Sequence, residues 1–204
     1  MTNLRPMVNS PKNKVIALVG MAGGGKTAVA DEFKKIGYDY VRLGQITLDE
    51  VKRRGLEPKE ENERPIREEF RANHGMGAFA ILNFPKIDEK LEKSNVIVDG
   101  LYSWSEYKEF KNKYGDTFNV IAVYASPATR YSRLSDRASR HGDDPKMVFR
   151  SFSPEEAASR DYAEIEKVEK GGPIAMADYT IVNEGTMDEL VTQTKTIINK
   201  INES

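Results

Sequence analysis

The chain has 204 residues, of which 39% are hydrophobic and 31% are charged, a balance typical of one compact domain with a well solvated surface. Its 31 Lys and Arg residues nearly equal its 32 Asp and Glu residues, which disfavours nucleic acid or an anionic membrane as partner. The lack of cysteine excludes disulfides, thiolate nucleophiles and cysteine-ligated metals. Because the sequence shows neither a secretory leader nor an apolar run of about eighteen residues, we expect a cytoplasmic protein.

The first predicted strand leads directly into a glycine-rich loop. Residues 1–13 show no apolar period and are interpreted as a flexible leader, with residues 14–204 forming one domain. Residues 15–19 form a continuous apolar run, as expected for a strand buried on both faces of a parallel sheet. A full match to G-x-x-x-x-G-K-[ST] follows, before a predicted helix. The motif consists of Gly20, Met21, Ala22, Gly23, Gly24, Gly25, Lys26 and Thr27.

This loop has the chemistry of a phosphate-binding site. Its glycines allow consecutive backbone amides to point inward and surround phosphate oxygens. The positive end of the following helix adds to the attraction. The Lys26 ammonium can bridge the β- and γ-phosphates during transfer, and the Thr27 hydroxyl is expected to ligate Mg²⁺. The motif therefore predicts a site for ATP with Mg²⁺ and a catalytic role for Lys26.

Four further short apolar runs alternate with predicted helices. Such alternation predicts an α/β fold with a parallel sheet. The runs are residues 40–43, 95–98, 120–124 and 179–182. Capping boxes of the S/T-x-x-E type predict four helix starts. The boxes are Thr47 with Glu50, Ser103 with Glu106, Ser153 with Glu156 and Thr186 with Glu189.

An aspartate ends the third of the predicted strands. Asp99 is followed by Gly100, and the carboxyl ends of strands in open α/β sheets lie at the ligand crevice. We predict that Asp99 reaches the Mg²⁺ shell through water and belongs to the catalytic set. The alternative is an ordinary turn aspartate before glycine.

Two connections are longer than simple crossovers. Residues 44–94 are predicted to form a helical acceptor-binding insertion, and residues 137–177 a closing lid, with purely structural insertions as the alternative. The first insertion is rich in arginine, which can clamp an anionic acceptor or pair with acidic neighbours on the surface. Its arginines include Arg53, Arg54, Arg64, Arg67 and Arg71.

A second group of arginines lies around the predicted lid. Transfer of a phosphoryl group requires positive charge near the phosphates, and a lid can deliver guanidinium groups on closure. Arg133 and Arg137 are four residues apart and share a helix face, and Arg160 follows the Ser153 box. A solvated basic helix face is the alternative for any one of them. The other candidates are Arg130 and Arg140.

The ordered motifs GMAGGGKT, VDGLYS, YASPATRYSRLSDR, SRDYAEIE and ADYTIVNEGTMDEL resemble those of dephospho-CoA kinase-like, adenylate-kinase-related P-loop proteins. The resemblance extends from residue 15 nearly to the end. It implies a P-loop NTPase fold of three α/β/α layers around a five-stranded parallel sheet. It also implies that Arg133 lies against the adenine ring, that Arg137 stands at the lid entry and that Arg160 faces the phosphates. Asn183 is expected either to contact the adenine edge or to be a turn residue.

One position departs from that family pattern. The sequence has Gly44-Gln45 where such kinases often carry Gly-Asp, and an amide cannot accept a proton from the acceptor as a carboxylate can. Glu50, Asp99 or the transfer geometry itself would have to compensate. This change speaks against plain dephospho-CoA kinase activity.

The sequence as a whole predicts a P-loop small-molecule kinase, acting as a monomer or homodimer. ATP and Mg²⁺ are the expected cofactors, and dephospho-CoA or a nucleoside monophosphate the expected acceptor. Neither nucleic acid nor a membrane is an expected partner. The alternative, from a different class, is an ATP-binding regulatory switch whose insertions bind a protein.

Overall fold

The computed structural model describes residues 13–136 and 152–203. Its centre is a five-stranded sheet with the order β2-β3-β1-β4-β5, in which all neighbouring strands are parallel. This architecture confirms the predicted α/β P-loop fold. The strands are β1 (Val15–Val19), β2 (Asp39–Arg42), β3 (Val96–Asp99), β4 (Phe118–Tyr124) and β5 (Tyr179–Val182).

Helices cover both faces of the sheet and create two apolar cores. Alternate residues of β1 point to opposite faces, so Val15 and Ala17 join the core under the helices of residues 78–91 and 104–114, while Ile16 and Leu18 join the core under the helices of residues 26–35 and 187–203. The helices are α1 (Lys26–Lys35), α2 (Gln45–Arg53), α3 (Glu60–His74), α4 (Ala78–Leu91), α5 (Trp104–Tyr114), α6 (Pro127–Ser135), α7 (Pro154–Val168), α8 (Gly171–Ala175) and α9 (Met187–Glu203), and a 3₁₀ turn spans Gly115–Thr117.

Three of the four predicted capping boxes begin helices, and one prediction was wrong. The confirmed boxes start at Ser103, Ser153 and Thr186. Helix α2 instead begins at Gln45, so Thr47 lies within its first turn and is 3% exposed. Glu50 does not return to cap the chain, because its carboxylate binds Arg53 and Arg54.

The predicted insertions correspond to identifiable parts of the fold. Residues 44–94 contain α2, α3 and α4 between β2 and β3. The described part of the predicted lid contains α7 and α8, whereas Arg137, Arg140 and most of the predicted leader lie outside the described residues. The acceptor-binding and lid roles stay predictions. Among the helices of residues 13–136 and 152–203, none is long and apolar enough to cross a membrane.

Candidate functional site: a phosphate-binding loop with two lysines

The glycine-rich loop connects β1 to α1 at the carboxyl edge of the sheet. Gly20 and Gly25 have φ values of 135° and 101°, which favour glycine. A Cβ on Gly20 would collide with the carbonyl oxygen of Val123, and a Cβ on Gly25 would collide with the Asn183 side chain. The loop is therefore wedged between β4 and the segment after β5, and its backbone leaves no room for side chains at these two positions.

Lys26 begins α1 and folds back over this loop. Its ammonium donates hydrogen bonds to the carbonyl oxygens of Gly20, at 2.8 Å, and Met21, at 3.1 Å. Thr27 is the next residue and is exposed at the first turn of the helix. These two hydrogen bonds hold the Lys26 side chain against the backbone of the loop.

The surroundings of Lys26 are unusually rich in charge. Burial lowers the pKa of its ammonium to about 8, and the nearby Lys170 ammonium is the next largest cause. Asp99 and Glu164 act in the opposite direction, and Arg130 adds a smaller lowering effect. Three cations and two carboxylates therefore meet at this edge of the sheet.

The lowered pKa of Lys26 predicts proton uptake when a nucleotide binds. Above pH 8 the free protein holds a largely neutral amine, and phosphate charges favour the ammonium, so binding must recruit a proton from solution. We expect ATP titration calorimetry at pH 9, in two buffers of different ionisation enthalpy, to show uptake of most of one proton. Uptake at pH 7.5 should be much smaller, because the lysine is already mostly charged. Equal heats in both buffers at pH 9 would contradict this assignment.

Asp99 ends β3 next to the loop. Its backbone is in register with Leu18 of β1 and with Arg42 of β2. The Tyr40 hydroxyl donates a hydrogen bond of 2.9 Å to its Oδ2 atom. Burial and this carboxylate together raise the pKa of Tyr40. The sheet therefore places Asp99 within electrostatic reach of Lys26.

The residues present fit a magnesium ion bound together with a nucleotide. Thr27 and Asp99 offer a hydroxyl and a carboxylate, the hard oxygen donors that Mg²⁺ prefers. Mg²⁺ commonly keeps only one or two protein ligands and takes the others from phosphates and water. Two protein oxygens beside a phosphate cradle therefore suffice, and the metal-binding roles of both residues stay predictions.

Arg130 ties the loop to helix α7. Its guanidinium donates to the carbonyl oxygen of Ala22 in the loop, at 3.2 Å, and to that of Ala125, at 3.0 Å. It also forms a 2.5 Å ion pair with Asp161, in which both side chains are less than one tenth exposed. The Tyr131 hydroxyl donates to the same carboxylate. Arg130 is thus an arginine of α6 whose bonds reach the glycine-rich loop.

The three arginines predicted as catalytic occupy different surroundings. Arg133 lies on α6, near Glu184, whose pKa is lowered mainly by the hydrogen bonds it accepts from the Thr129 hydroxyl and the Ser126 N–H and to a smaller extent by Arg133. Arg160 is about half exposed and lies over the ring of Phe152, at 4.4 Å from its centroid. Arg137 is outside the described residues. Their catalytic roles stay predictions.

Asn183 supports the loop from behind. Its side-chain amide donates to the carbonyl oxygen of Gly24, at 2.9 Å, and the residue is 7% exposed. Its backbone N–H donates to Tyr124 at 2.7 Å. The Asn183 side-chain nitrogen is therefore bonded to the loop. Contact between Asn183 and the adenine edge stays a prediction.

A second lysine, not among the predicted site residues, completes the cluster. Lys170 lies between α7 and α8 and is 2% exposed. Its ammonium donates a hydrogen bond to Glu164 and lies 4.4 Å from the centroid of the Tyr102 ring. Burial lowers its pKa. Sequence patterns do not reveal it, because a lone lysine before two glycines resembles an ordinary helix end.

Most arginines of the 44–94 segment pair with acidic neighbours at the surface, the second of the two predicted roles. Arg71 differs, because its guanidinium lies 5.3 Å from the Phe79 ring centroid and its Nε atom is buried. The Gln45 amide donates to Asp49 at 3.0 Å. The surface pairs join Arg53 and Arg54 to Glu50, Arg54 to Glu69, Arg64 to Glu68 and Arg67 to Glu60 and Glu63.

Comparison with known proteins shows the family of this chain. A family model described as an AAA domain matches residues 16–161. A UPF0200 protein of Thermococcus gammatolerans is 35% identical over 189 residues, which cover 92% of this chain and 95% of that protein.

Two solved structures share the fold. A gluconokinase from Sinorhizobium meliloti 1021 aligns with a TM-score of 0.55 at 12% identity, over 95% of this chain and 96% of its own. A shikimate kinase from Bacteroides thetaiotaomicron aligns with a TM-score of 0.55 at 17% identity, over 93% and 98%. At such identities the likeness concerns the fold alone. The narrower resemblance to dephospho-CoA kinase-like proteins stays a prediction.

Proposed function

We propose that this chain, which belongs to the UPF0200 family and to the AAA domain family, is an ATP-dependent phosphotransferase with a small nucleotide-like or coenzyme-like acceptor. It also has the fold of small-molecule P-loop kinases. The observation that carries the proposal is the glycine loop with Lys26 folded over it and Asp99 beside it. Fold likeness alone does not decide function, whereas this arrangement has the parts that phosphoryl transfer needs.

The proposed reaction joins an acceptor oxygen to the γ-phosphorus of ATP while the bond from that phosphorus to the β,γ-bridging oxygen breaks, which releases ADP. The loop amides bind the phosphate oxygens, and the Lys26 ammonium stabilises the negative charge that grows on the leaving oxygens. Thr27 and Asp99 would hold Mg²⁺, which supplies charge neutralisation of the β- and γ-phosphates when bound. Positioning and electrostatics therefore account for most of the expected catalysis.

The residues of the predicted acceptor-binding segment favour a phosphate over a hydroxyl as the group that attacks ATP. Two arginines bind Glu50 and lower the pKa of its carboxyl to about 2, so it is a poor proton acceptor. Gln45 supplies an amide where a carboxylate would serve as base. A phosphate ester has its second pKa near 6 and is largely ionised at pH 7, so it needs no base. Within the proposal we therefore rank a nucleoside monophosphate above dephospho-CoA.

The decisive experiment is a γ-phosphate transfer assay with labelled ATP and Mg²⁺ against nucleoside monophosphates, dephospho-CoA and nucleosides. We expect labelled product and stoichiometric ADP with at least one acceptor of the monophosphate group. The Lys26→Ala protein, purified in the same way, serves as the control for contaminating kinases.

Other outcomes of the assay separate the alternatives. Labelling of dephospho-CoA alone would overturn the ranking of acceptors and would make Asp99 the first candidate for the base. Tight ATP binding with slow hydrolysis that no acceptor accelerates would contradict the kinase proposal. The regulatory-switch alternative would then be tested by adding protein partners.

A further inference from the structure

Lys170 is an unusual residue to find inside a protein. Lysine is rarely fully buried unless paired, and this side chain is 2% exposed. Glu164 accepts a hydrogen bond from its ammonium, and the Tyr102 ring provides a cation–π contact at 4.4 Å. Burying such a pair is a weak source of stability, since desolvation offsets much of the attraction. The position therefore calls for an explanation other than stability.

The residue before this lysine has an unusual backbone conformation. Glu169, the preceding residue, has a φ of 55°, and in the described part of the chain it is the non-glycine residue with a positive φ. The Lys170 N–H donates to the carbonyl oxygen of Glu164, at 3.2 Å, which closes the end of α7. Gly172 then packs so closely on Trp104 that a Cβ would approach its ring to 3.0 Å. This corner therefore packs against the start of α5, the helix that follows β3.

Two carboxylates of helix α7 lie one turn apart, and each of them binds a cation. Asp161 holds Arg130, which in turn donates to the Ala22 carbonyl of the phosphate-binding loop. Three residues later, Glu164 holds Lys170. This spacing puts both carboxylates on one helix face, so Lys170 lies along the same face as the group that touches the loop. Tyr102, under Lys170, follows Asp99 by three residues and lies on the β3 side of the crevice.

The Lys170 ammonium lies within electrostatic range of Lys26. Of the charged groups around Lys26, Lys170 has the largest influence on its pKa, ahead of Asp99. Glu164 and Asp99 neutralise part of this charge, and two ammonium groups within interaction range still make the space between them attractive to an anion. A polyphosphate is the anion expected to bind there in a site with this glycine loop.

We propose that Lys170 is a second phosphate-binding lysine, which contacts the γ-phosphate from the β3 side, opposite to the approach of Lys26 from the loop. This inference rests on the proposed function for its nucleotide, but it concerns binding and does not require that an acceptor be known. Glu164 and Tyr102 position the ammonium before the nucleotide arrives. A γ-phosphate contact makes Lys170 a discriminator between ATP and ADP.

Equilibrium binding of β,γ-imido-ATP and of ADP, both with Mg²⁺, tests the proposal. A hydrogen bond to a charged group contributes about 1.5–3 kcal/mol, equivalent to an affinity change of roughly 10- to 150-fold, so Lys170→Met should weaken β,γ-imido-ATP binding by at least tenfold. Its ADP affinity should change by less than about twofold, because ADP lacks the contacted group. Lys170→Arg should recover much of the loss, since it keeps the charge. Lys167→Met, at an exposed position of α7, is the matched control and should bind both nucleotides normally.

A purely structural role for Lys170 predicts a different pattern. Equal loss of affinity for both nucleotides, or no loss for either, would overturn the proposal. If Lys170→Met fails to fold because Glu164 is left without its partner, the Lys170→Met/Glu164→Gln protein removes that charge as well. An unchanged ratio of the two affinities in this folded double variant would equally overturn it. A failure to find an acceptor leaves these ratios unaffected, so the two proposals fail separately.

Discussion

Replacement of Lys26 with alanine is expected to abolish phosphoryl transfer while the protein stays folded. Removal of one stabilising group in a preorganised site commonly costs about 10²–10³ in turnover, and Lys26 carries a full charge at the phosphates, so we expect at least this loss. Its ammonium is bound only to loop carbonyls of Gly20 and Met21 in the hydrogen bonds that the structure describes, so the core keeps its contacts. Steady-state transfer with the identified acceptor and thermal unfolding measure the two effects.

A neighbouring lysine provides the control for this experiment. Lys35 lies at the end of the same helix, is 68% exposed and pairs with Glu32, whose side chain is 11% exposed. Lys35→Ala should retain normal turnover, because the Lys35 side chain is exposed and lies at the end of α1 away from the loop. A Lys26→Ala protein with most of its turnover would be incompatible with the phosphate-bridging role assigned to Lys26.

Breaking the buried pair between Arg130 and Asp161 is expected to cause the largest loss of stability. Removal of one member of a buried ion pair leaves an uncompensated charge and costs about 3–5 kcal/mol. Arg130→Met also removes the hydrogen bond to the Ala22 carbonyl, so nucleotide affinity should fall together with stability. Urea unfolding at constant pH gives the free-energy change, and ATP titration of the folded fraction gives the affinity.

Two variants distinguish buried charge from a general effect of losing an arginine. Arg64 pairs with Glu68 on the surface, with both side chains more than half exposed, so Arg64→Met should cost no more than about 1 kcal/mol. The Arg130→Met/Asp161→Leu protein should regain much of the stability but not the nucleotide affinity. If Arg130→Met unfolds at nearly the wild-type urea concentration, the pair does not anchor helix α7 to the loop.

The local patterns of the sequence determined the elements and the phosphate loop. The apolar run of residues 15–19 becomes the central strand because a strand buried on both faces must be apolar throughout. The motif that ends in Lys26 and Thr27 has no room for a Cβ atom at Gly20 or Gly25, and glycines encode this directly. Capping boxes at Ser103 and Ser153 are likewise local, since the bonded groups are three residues apart.

Helix faces were less well determined by sequence. Arg133 and Arg137 share a face by spacing, but the buried face of α6 carries Arg130 and Leu134, which are also four residues apart. Periodicity shows which residues lie together and does not show which face meets the core when several faces carry arginine. The neighbouring apolar Leu134 was the available signal for Arg130. The predicted capping box of Thr47 and Glu50 does not form, because two surface arginines, Arg53 and Arg54, bind the Glu50 carboxylate.

Only the tertiary structure brought together the charges at the candidate site. Lys26, Asp99 and Lys170 are separated by more than seventy residues at each step along the chain. Lys26 and Asp99 come together because the parallel strands β1 and β3 end at one edge of the sheet, and the corner between α7 and α8 adds Lys170. Burial, which lowers the pKa of both lysines, depends on the packing of α7 and α8 over that edge. Local sequence motifs show which groups can bind phosphate. The tertiary structure determines which distant groups lie in the same desolvated space and can therefore act on the same ligand.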